Sequence, residues 1–379
     1  MFSKRIASIF VSLIKAKYNL SLPPKTRNLI FDSHSTQLIE KIFKDYKFHT
    51  LDTRYETINL AILIRVILKF KFSYRDYLKE YIEFVNPKIL ITLIDNNQFF
   101  YELTLKEGKK ISIQNSRRGQ ISDIFDNLKL LNVKKKNFID LMFVQNKHVG
   151  KLYNKFIKGK TIPFGNIRSN LFKIIKTKKK YDLVYISSGN YYLPDNYITS
   201  GLTRIEIIKQ EKIFVSLLKV FCLKNNIQLF ILGKDINYLP ELNFYKEILG
   251  KYRFTFIKRT KNRNSYKVTD NCNLLVSMDS TLLYEAFSRG AKCYFGGFRH
   301  IQNKLIKSGK FGWPQKLPNK GKFWINYFNE KKIHQGLIDI YRCKKEKWVK
   351  ISKKYRNDIM IFDLNNTILK KYNKLFYDN

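Results

Sequence analysis

Short apolar segments alternate with amphipathic segments along the first half of the chain. Residues 89–94 form a nearly continuous apolar run, which is typical of a strand whose two faces are both covered. Four further runs have the length of a strand, at residues 28–31, 48–51, 110–114 and 138–144. The spacing of apolar positions between them predicts helices at residues 36–44, 57–70 and 74–85. Strands that alternate with helices predict a parallel sheet of the α/β class.

A second alternation of the same kind begins after residue 180. A long amphipathic helix at residues 206–224 accompanies predicted strands at residues 183–187, 227–232, 252–257, 274–278 and 292–295. The chain between the two alternations is rich in turn residues and lysine. We therefore predict an N-terminal amphipathic helix (1–22), a first α/β domain (23–165), a linker (166–180), a second α/β domain (181–335) and C-terminal helices (336–379). A return of the C-terminal helices to the first domain stays open.

The stretch from residue 273 to residue 297 carries the clearest candidate chemistry. A predicted strand is followed by Asp279, Ser280 and Thr281, which supply turn and helix-cap side chains, and then by a helix that ends at Gly290. The amide groups and the positive dipole end of such a helix attract phosphate. Glu285 lies one turn into the helix on the face of Thr281, where its carboxylate could accept hydrogen bonds from a ribose. The alternative is an ordinary capped helix with a solvated glutamate.

The formal net charge is +42, from 72 Lys and Arg against 30 Asp and Glu. Such a charge suits nucleic acid, an anionic membrane surface or phosphate-bearing substrates. The lysines are spread along the whole chain without an arginine-rich arm, so codon bias is an equally simple explanation and nucleic acid is not an expected partner. The N-terminal helix would place Phe2, Ile6, Ile9, Phe10 and Leu13 on one face, which suits either anionic lipid or the protein's own surface.

Cysteine and histidine spacing argues against metal sites. The four cysteines lack CxxC spacing and are predicted to be small core residues of a protein from a reducing compartment. The five histidines show no metal-ligand spacing, and no Asp-x-Asp pair stands out at the end of a predicted strand. The longest apolar stretch, residues 60–68, is interrupted by Arg65 and is far shorter than the roughly 20 residues that a membrane span needs. We expect no bound metal and no membrane-spanning helix.

Several segments together resemble one group of enzymes. They are residues 28–32, 113–118 (IQNSRR), 162–170 (IPFGNIRSN), 277–290 and 321–324, and they span nearly the full chain. The set resembles GT-B-type glycosyltransferases, and among them the bacterial surface carbohydrate biosynthesis proteins. These are similar to CDP-glycerol glycerophosphotransferases and UDP-GlcNAc 2-epimerases. The resemblance implies two Rossmann-like, doubly wound parallel-sheet domains that face a central cleft.

The resemblance also implies a donor site in the second domain. GT-B enzymes hold the diphosphate of a nucleotide donor with hydroxyl and amide groups and the ribose with a glutamate. In this sequence those roles would fall to Ser188, Gly189, Asn190, Asp279, Ser280, Thr281 and Glu285. Lys234 and Arg259, which each follow a predicted strand, are candidates to neutralise the leaving diphosphate.

The first domain would then supply the groups that meet the acceptor. Either His34 or Asp95, each after a predicted strand, could act as the general base, and loop capping is the alternative for both. Arg117 and Arg118 could hold an acceptor phosphate with paired hydrogen bonds or form a plain surface turn. The helix dipole and basic side chains would stabilise the departing nucleotide without a metal ion or a cofactor.

These features predict a cytoplasmic enzyme of surface polysaccharide assembly, with peripheral contact to the anionic inner membrane as an open alternative. It would transfer a sugar or polyol phosphate from a nucleotide-activated donor to a glycan or lipid-linked acceptor. One rival is a nucleotide-sugar 2-epimerase, which needs no acceptor. Another is a non-enzymatic basic protein that binds nucleic acid or membrane.

Overall fold

The computed structural model describes residues 14–34, 36–119, 123–130, 137–175, 177, 180–189, 198–199, 202–260, 265–278, 280–297 and 310–376. They form two compact units. The N-terminal unit takes its residues from Met1–Asn115, Leu128–Arg168 and Asn366–Asn379, and the C-terminal unit takes them from Ser116–Asn127 and Ser169–Asn365. The last segment of the chain thus belongs to the N-terminal unit, where the ring of Phe376 lies 4.4 Å from that of Phe43.

The N-terminal unit is built on a six-stranded parallel sheet. The strands up to residue 163 are β1 (Lys17–Asn19), β2 (Asn28–Phe31), β3 (His49–Leu51), β4 (Thr57–Asn59), β5 (Ile89–Thr92), β6 (Lys109–Ile113), β7 (Phe138–Val144) and β8 (Lys158–Pro163). Strands β1 and β4 form a separate parallel pair. The other six lie in the order β3-β2-β5-β6-β7-β8. Every residue of β2 and β5 is buried, as expected of central parallel strands.

The helices up to residue 170 connect these strands. They are α1 (Thr36–Ile42), α2 (Leu60–Leu68), α3 (Tyr74–Val85), α4 (Gln98–Glu102), α5 (Ile124–Leu130), α6 (Lys147–Tyr153) and α7 (Ile167–Asn170). The chain passes from β2 to β3 on one side and then crosses to β5 on the other, so the direction of winding reverses between β2 and β5. Ligands of open α/β sheets bind at such a reversal, beyond the carboxyl ends of the strands.

The C-terminal unit contains a second six-stranded parallel sheet. Its strands are β9 (Tyr181–Ile186), β10 (Ile198–Thr199), β11 (Leu202–Thr203), β12 (Leu229–Leu232), β13 (Thr255–Ile257), β14 (Cys272–Ser277), β15 (Cys293–Gly296) and β16 (Trp324–Ile325). Strands β10 and β11 pair separately and antiparallel. The sheet order is β13-β12-β9-β14-β15-β16, so the chain winds outward from β9 in one direction and then, from β14, in the other. This is the strand order of a Rossmann fold.

The helices of the second half are α8 (Arg204–Asn225), α9 (Tyr238–Leu249), α10 (Ser265–Thr269), α11 (Thr281–Ser288), α12 (Glu330–Tyr341), α13 (Lys345–Ile359) and α14 (Thr367–Lys370). Helix α8 begins with a capping box, in which the Thr203 hydroxyl and the Glu206 carboxylate each accept a hydrogen bond from the other's backbone N–H. It ends at Asn226, whose φ of 50° is left-handed. Among the described residues, no helix is long and apolar enough to cross a bilayer.

Aromatic side chains dominate the core of the C-terminal unit around α11. The ring of Phe287 lies 5.1 Å from that of Phe323 and 6.0 Å from that of Trp348 on α13. The indole N–H of Trp348 donates to the carbonyl of Gly290 at 3.2 Å, which joins α13 to the end of α11. All four cysteines are free and buried, as predicted for core residues. Burial raises the pKa of the Cys222 thiol to about 12.

Two predicted helices begin later or end earlier than their sequence pattern indicates. Residues 1–13 of the predicted N-terminal helix lie outside the described residues, and Lys17–Asn19 form strand β1 instead. Residues 57–59, predicted as the first turn of a helix, form strand β4, because they pair in parallel with β1. Asn59 then caps α2 by accepting a hydrogen bond from the N–H of Ile62 at 3.1 Å.

Candidate functional site

The reversal between β9 and β14 places a serine- and glycine-containing loop at the carboxyl edge of the C-terminal sheet. Strand β9 is followed by Ser187, Ser188 and Gly189, and the N–H of Gly189 donates to the Ser187 hydroxyl at 3.1 Å. The φ of Gly189 is 69°, a left-handed conformation that favours glycine. The Oγ of Ser188 is buried and has no hydrogen-bond partner among the described residues. Within the described part of the chain, the Ser188 hydroxyl is therefore a candidate to bind a ligand oxygen at this loop.

The adjacent strand, β14, leads into the N-terminus of α11. Ser280 occupies the N-cap position but its side chain makes no capping hydrogen bond. Helices α2, α3, α6, α8 and α12, in contrast, each have an N-cap side chain that accepts from a backbone N–H. Ser280 and Thr281 are both partly exposed. The start of α11 therefore has the properties of an anion-binding helix end. Asp279 and Asn190 lie outside the described residues.

The two predicted cationic residues form a chain of hydrogen bonds that reaches the loop after β9. The Lys234 ammonium, just past β12, donates to the carbonyl of Ser188 at 3.0 Å. The Arg259 guanidinium, just past β13, donates to the carbonyl of Lys234 at 2.8 Å. Lys234 and Arg259 are both exposed. Because β13, β12, β9 and β14 are neighbours in the sheet, their carboxyl ends bring two cations, a glycine loop and a helix N-terminus together on one edge.

Glu241 holds two loops of this edge in place, although its sequence context did not predict such a role. Its carboxylate is fully buried and accepts from the N–H of Lys234 at 3.0 Å and from the N–H of Asp235 at 3.2 Å. The same carboxylate accepts a hydrogen bond from the Ser187 hydroxyl. One buried group thus fixes the loops after both β9 and β12. In the sequence, Glu241 is recognisable only as an acidic residue in the first turn of the helix after Gly233-Lys234. Such a residue by itself indicates no more than a favourable interaction with the helix dipole.

Glu285 lies in α11, as predicted, but inside the protein. The residue is 7% exposed, and its Oε2 accepts a hydrogen bond from the Tyr266 hydroxyl at 2.9 Å. The solvated glutamate considered as an alternative is therefore wrong. One turn separates Glu285 from Thr281 at the anion-binding end of the helix.

The two candidate bases of the N-terminal unit have opposite environments. His34 is exposed in the loop after β2, and its backbone N–H donates to the carboxylate of Asp32 at 2.8 Å. Asp95 follows β5 but is completely buried. Its carboxylate accepts hydrogen bonds from the Tyr153 hydroxyl at 2.7 Å and from the N–H of Asn115 at 3.2 Å. Since a base must reach its substrate, we correct the prediction for Asp95, which supports the loops around it.

Arg117 and Arg118 belong to the C-terminal unit and their side chains are engaged within it. The Arg117 guanidinium lies 4.7 Å from the centre of the Tyr284 ring and donates to the carbonyl of Lys310 at 3.1 Å. Arg118 is 9% exposed, with Nη1 3.7 Å from the Asp123 carboxylate. The predicted position of these two residues in the first domain is therefore corrected, and their binding of an acceptor phosphate stays a prediction. The plain surface turn is also wrong for Arg118. In the part of the chain that the structure describes, no three His, Cys, Asp or Glu side chains are grouped to hold a metal ion.

Comparison with known protein families gives one match that covers most of the chain. A family described as "putative O-antigen biosynthesis protein" matches residues 111–376. This chain belongs to that family. The matched range includes β9, β12, β13, β14 and α11, which form the edge described above. The predicted relationship to surface carbohydrate biosynthesis proteins is confirmed. No curated protein sequence matches this chain.

Several solved structures share the fold of this chain at low sequence identity. A Staphylococcus aureus MnaA–UDP co-structure is 10% identical, with a TM-score of 0.53 over 93% of this chain and 96% of that one. A "putative UDP-N-acetylglucosamine 2-epimerase" from Listeria monocytogenes is also 10% identical, with a TM-score of 0.51 over 93% of this chain and 96% of that one. The H444N variant of the wall teichoic acid polymerase TagF is 9% identical, with a TM-score of 0.52 over 92% of this chain and 88% of that one. The predicted fold class, two Rossmann-like parallel-sheet units of the GT-B type, is confirmed.

Proposed function

We propose that this O-antigen biosynthesis protein is a transferase that moves a sugar or polyol phosphate from a nucleotide-activated donor to a glycan or lipid-linked acceptor. The observation that supports the proposal is the convergence of Ser188, Gly189, Lys234, Arg259 and the start of α11 on one edge of the C-terminal sheet. This edge lies at the reversal of the strand order, where open α/β sheets bind their ligands. Its donors and charges suit a diphosphate.

In the proposed mechanism the nucleotide diphosphate is the leaving group. The first-turn N–H groups of α11 and the hydroxyls of Ser188, Ser280 and Thr281 would bind its oxygens. The ammonium of Lys234 and the guanidinium of Arg259 would stabilise the charge that develops as the donor bond breaks, because fixed charges need no reorganisation during the reaction. Glu285, one turn into α11, would accept hydrogen bonds from the ribose. His34, the exposed candidate of the N-terminal unit, would take the proton from the acceptor hydroxyl.

The first test is nucleotide binding with and without the two cations. We expect UDP, CDP, GDP or CMP to raise the melting temperature of the wild type in a thermal-shift screen. The double variant Lys234→Met/Arg259→Met should bind the selected nucleotide at least about 10- to 100-fold more weakly in calorimetry, since the loss of even one hydrogen bond to a charged group costs ~1.5–3 kcal/mol. The matched control is Lys251→Met/Arg253→Met, which removes two exposed cations at the amino end of β13.

Two outcomes would contradict the proposal. Equal affinities of the two double variants would show that the carboxyl edge does not bind the diphosphate. Release of an isomerised sugar from the donor alone, with no acceptor present, would assign the protein to the epimerases instead of the transferases.

A further inference from the structure

Helix α2 is apolar at every position except Arg65, yet several of its apolar side chains are open to solvent. Eight of the nine residues of its sequence, LAILIRVIL, are apolar. Ile62 and Val66 are buried against the N-terminal unit, whereas Ile64, Ile67 and Leu68 are 56%, 49% and 71% exposed. A helix with apolar residues on nearly every side is normally enclosed by protein or in contact with lipid. The outward face of α2 is therefore exposed to water, although its apolar side chains suit contact with protein or lipid.

The turn after α2 continues this face with two exposed phenylalanines. Phe70 is 84% exposed and Phe72 is 78% exposed. Phe70 also has a φ of 54°, in the left-handed region. Helices α3 and α8 end in the same conformation on Asn86 and Asn226, and asparagine tolerates it far better than a bulky side chain does. Strain of this kind is typical of positions retained for a function other than stability.

Basic side chains alternate with these apolar ones. Residues 60–72 contain Arg65, Lys69 and Lys71 and no acidic residue. Arg65 and Lys69 both pair with the buried carboxylate of Glu80 on α3, while Lys71 is exposed between the two phenylalanines. Strand β1, which pairs with the strand that enters α2, carries the exposed Lys17. Aromatic groups interleaved with ammonium groups match the boundary between the acyl chains and the anionic headgroups of a bilayer.

We propose that the α2 apolar face, defined as Ile64, Ile67, Leu68, Phe70 and Phe72, docks on an anionic phospholipid surface. The charge of the molecule argues against a second copy as the occupant, since two chains of net charge +42 repel each other. The chain before residue 14 contains Lys4 and Arg5 and no acidic residue, so an anionic surface would attract it as well. The proposal is independent of the nucleotide site, which lies in the other unit.

The test is sedimentation of the full chain with vesicles of phosphatidylglycerol and phosphatidylethanolamine. Wild type should bind these vesicles and bind pure phosphatidylcholine vesicles at least about tenfold more weakly. Phe70→Asn/Phe72→Ser should lose about tenfold or more in binding to the anionic vesicles. The control Ile205→Ser/Leu223→Ser removes two apolar side chains of similar exposure, 76% and 60%, from α8 and should bind like wild type.

A stability measurement separates docking from a structural role. Phe70→Asn should keep or raise the melting temperature, because it relieves the left-handed strain, and should still weaken vesicle binding. The proposal is overturned if the phenylalanine variants bind anionic vesicles like wild type or if wild type fails to bind them. A concentration-dependent dimer that disappears in Phe70→Asn/Phe72→Ser would overturn it in favour of a second copy.

Discussion

Replacing Arg289 with alanine should lower the free energy of unfolding of the C-terminal unit by about 3–5 kcal/mol, as is found when one partner of a buried ion pair is removed. The Arg289 side chain is completely buried and binds the Asp270 carboxylate through Nε at 3.0 Å and Nη2 at 2.6 Å. Its remaining N–H groups donate to the carbonyls of Ser169, Phe172 and Lys173 at 2.8–3.1 Å. Denaturant unfolding monitored by circular dichroism measures the loss.

Three companion variants make this result specific. Arg342→Ala, an exposed arginine at the end of α12, should change the free energy of unfolding by less than about 0.5 kcal/mol. Arg289→Lys keeps the charge but not the planar fork and should also be clearly destabilised. Arg289→Met/Asp270→Leu should be more stable than Arg289→Ala, because it leaves no unpaired buried carboxylate. Equal stability of Arg289→Ala and Arg342→Ala would contradict the importance of this cluster.

Replacing Glu241 with glutamine should weaken nucleotide binding by about tenfold or more although Glu241 would not touch the nucleotide. Both carboxylate oxygens accept hydrogen bonds from the loops after β9 and β12. An amide would turn one acceptor into a donor that faces other donors, at a cost of ~1–3 kcal/mol for each buried group left unsatisfied. Ser188 and Lys234 would then lose their positions. Calorimetry with the nucleotide chosen in the thermal-shift screen measures the effect.

The control for Glu241 lies on the same helix. Glu247 is exposed and pairs with Lys212 on the surface, so Glu247→Gln should leave both stability and nucleotide affinity nearly unchanged. A Glu241→Gln protein with lower stability but unaltered affinity would show that Glu241 supports the fold and does not position the site.

The fold could be predicted because parallel central strands leave a strong sequence signal. Residues 89–94 and 274–278 are apolar runs interrupted only by Thr92 and Ser277, and β5 and the corresponding part of β14 are buried as such runs imply. The helix end at Gly290 could also be predicted, because glycine is the residue that most easily adopts a left-handed conformation after a helix. The structure gives Gly290 a φ of 94°. Strands β1 and β4 were missed because each has only three residues and is defined by its pairing partner about 40 positions away.

The candidate site was predictable only where local sequence determines geometry. A hydroxyl residue at the start of a helix after a strand indicates an anion site from neighbouring residues alone. The burial of Asp95 depends on Tyr153, 58 positions later, and the engagement of Arg117 depends on Lys310. Contacts at such separations leave no periodic pattern in one sequence. For the same reason Glu241 could not be distinguished from an ordinary first-turn glutamate.

A crystal structure of the protein with a bound nucleoside diphosphate would show directly whether the diphosphate binds at the carboxyl edge of the C-terminal sheet. We expect the phosphates at the carboxyl ends of β9 and β14, within hydrogen-bond distance of the Ser188 hydroxyl and the first-turn N–H groups of α11, with Lys234 or Arg259 beside them. Density for the diphosphate elsewhere in the protein, with the N-terminus of α11 facing only protein atoms, would contradict it.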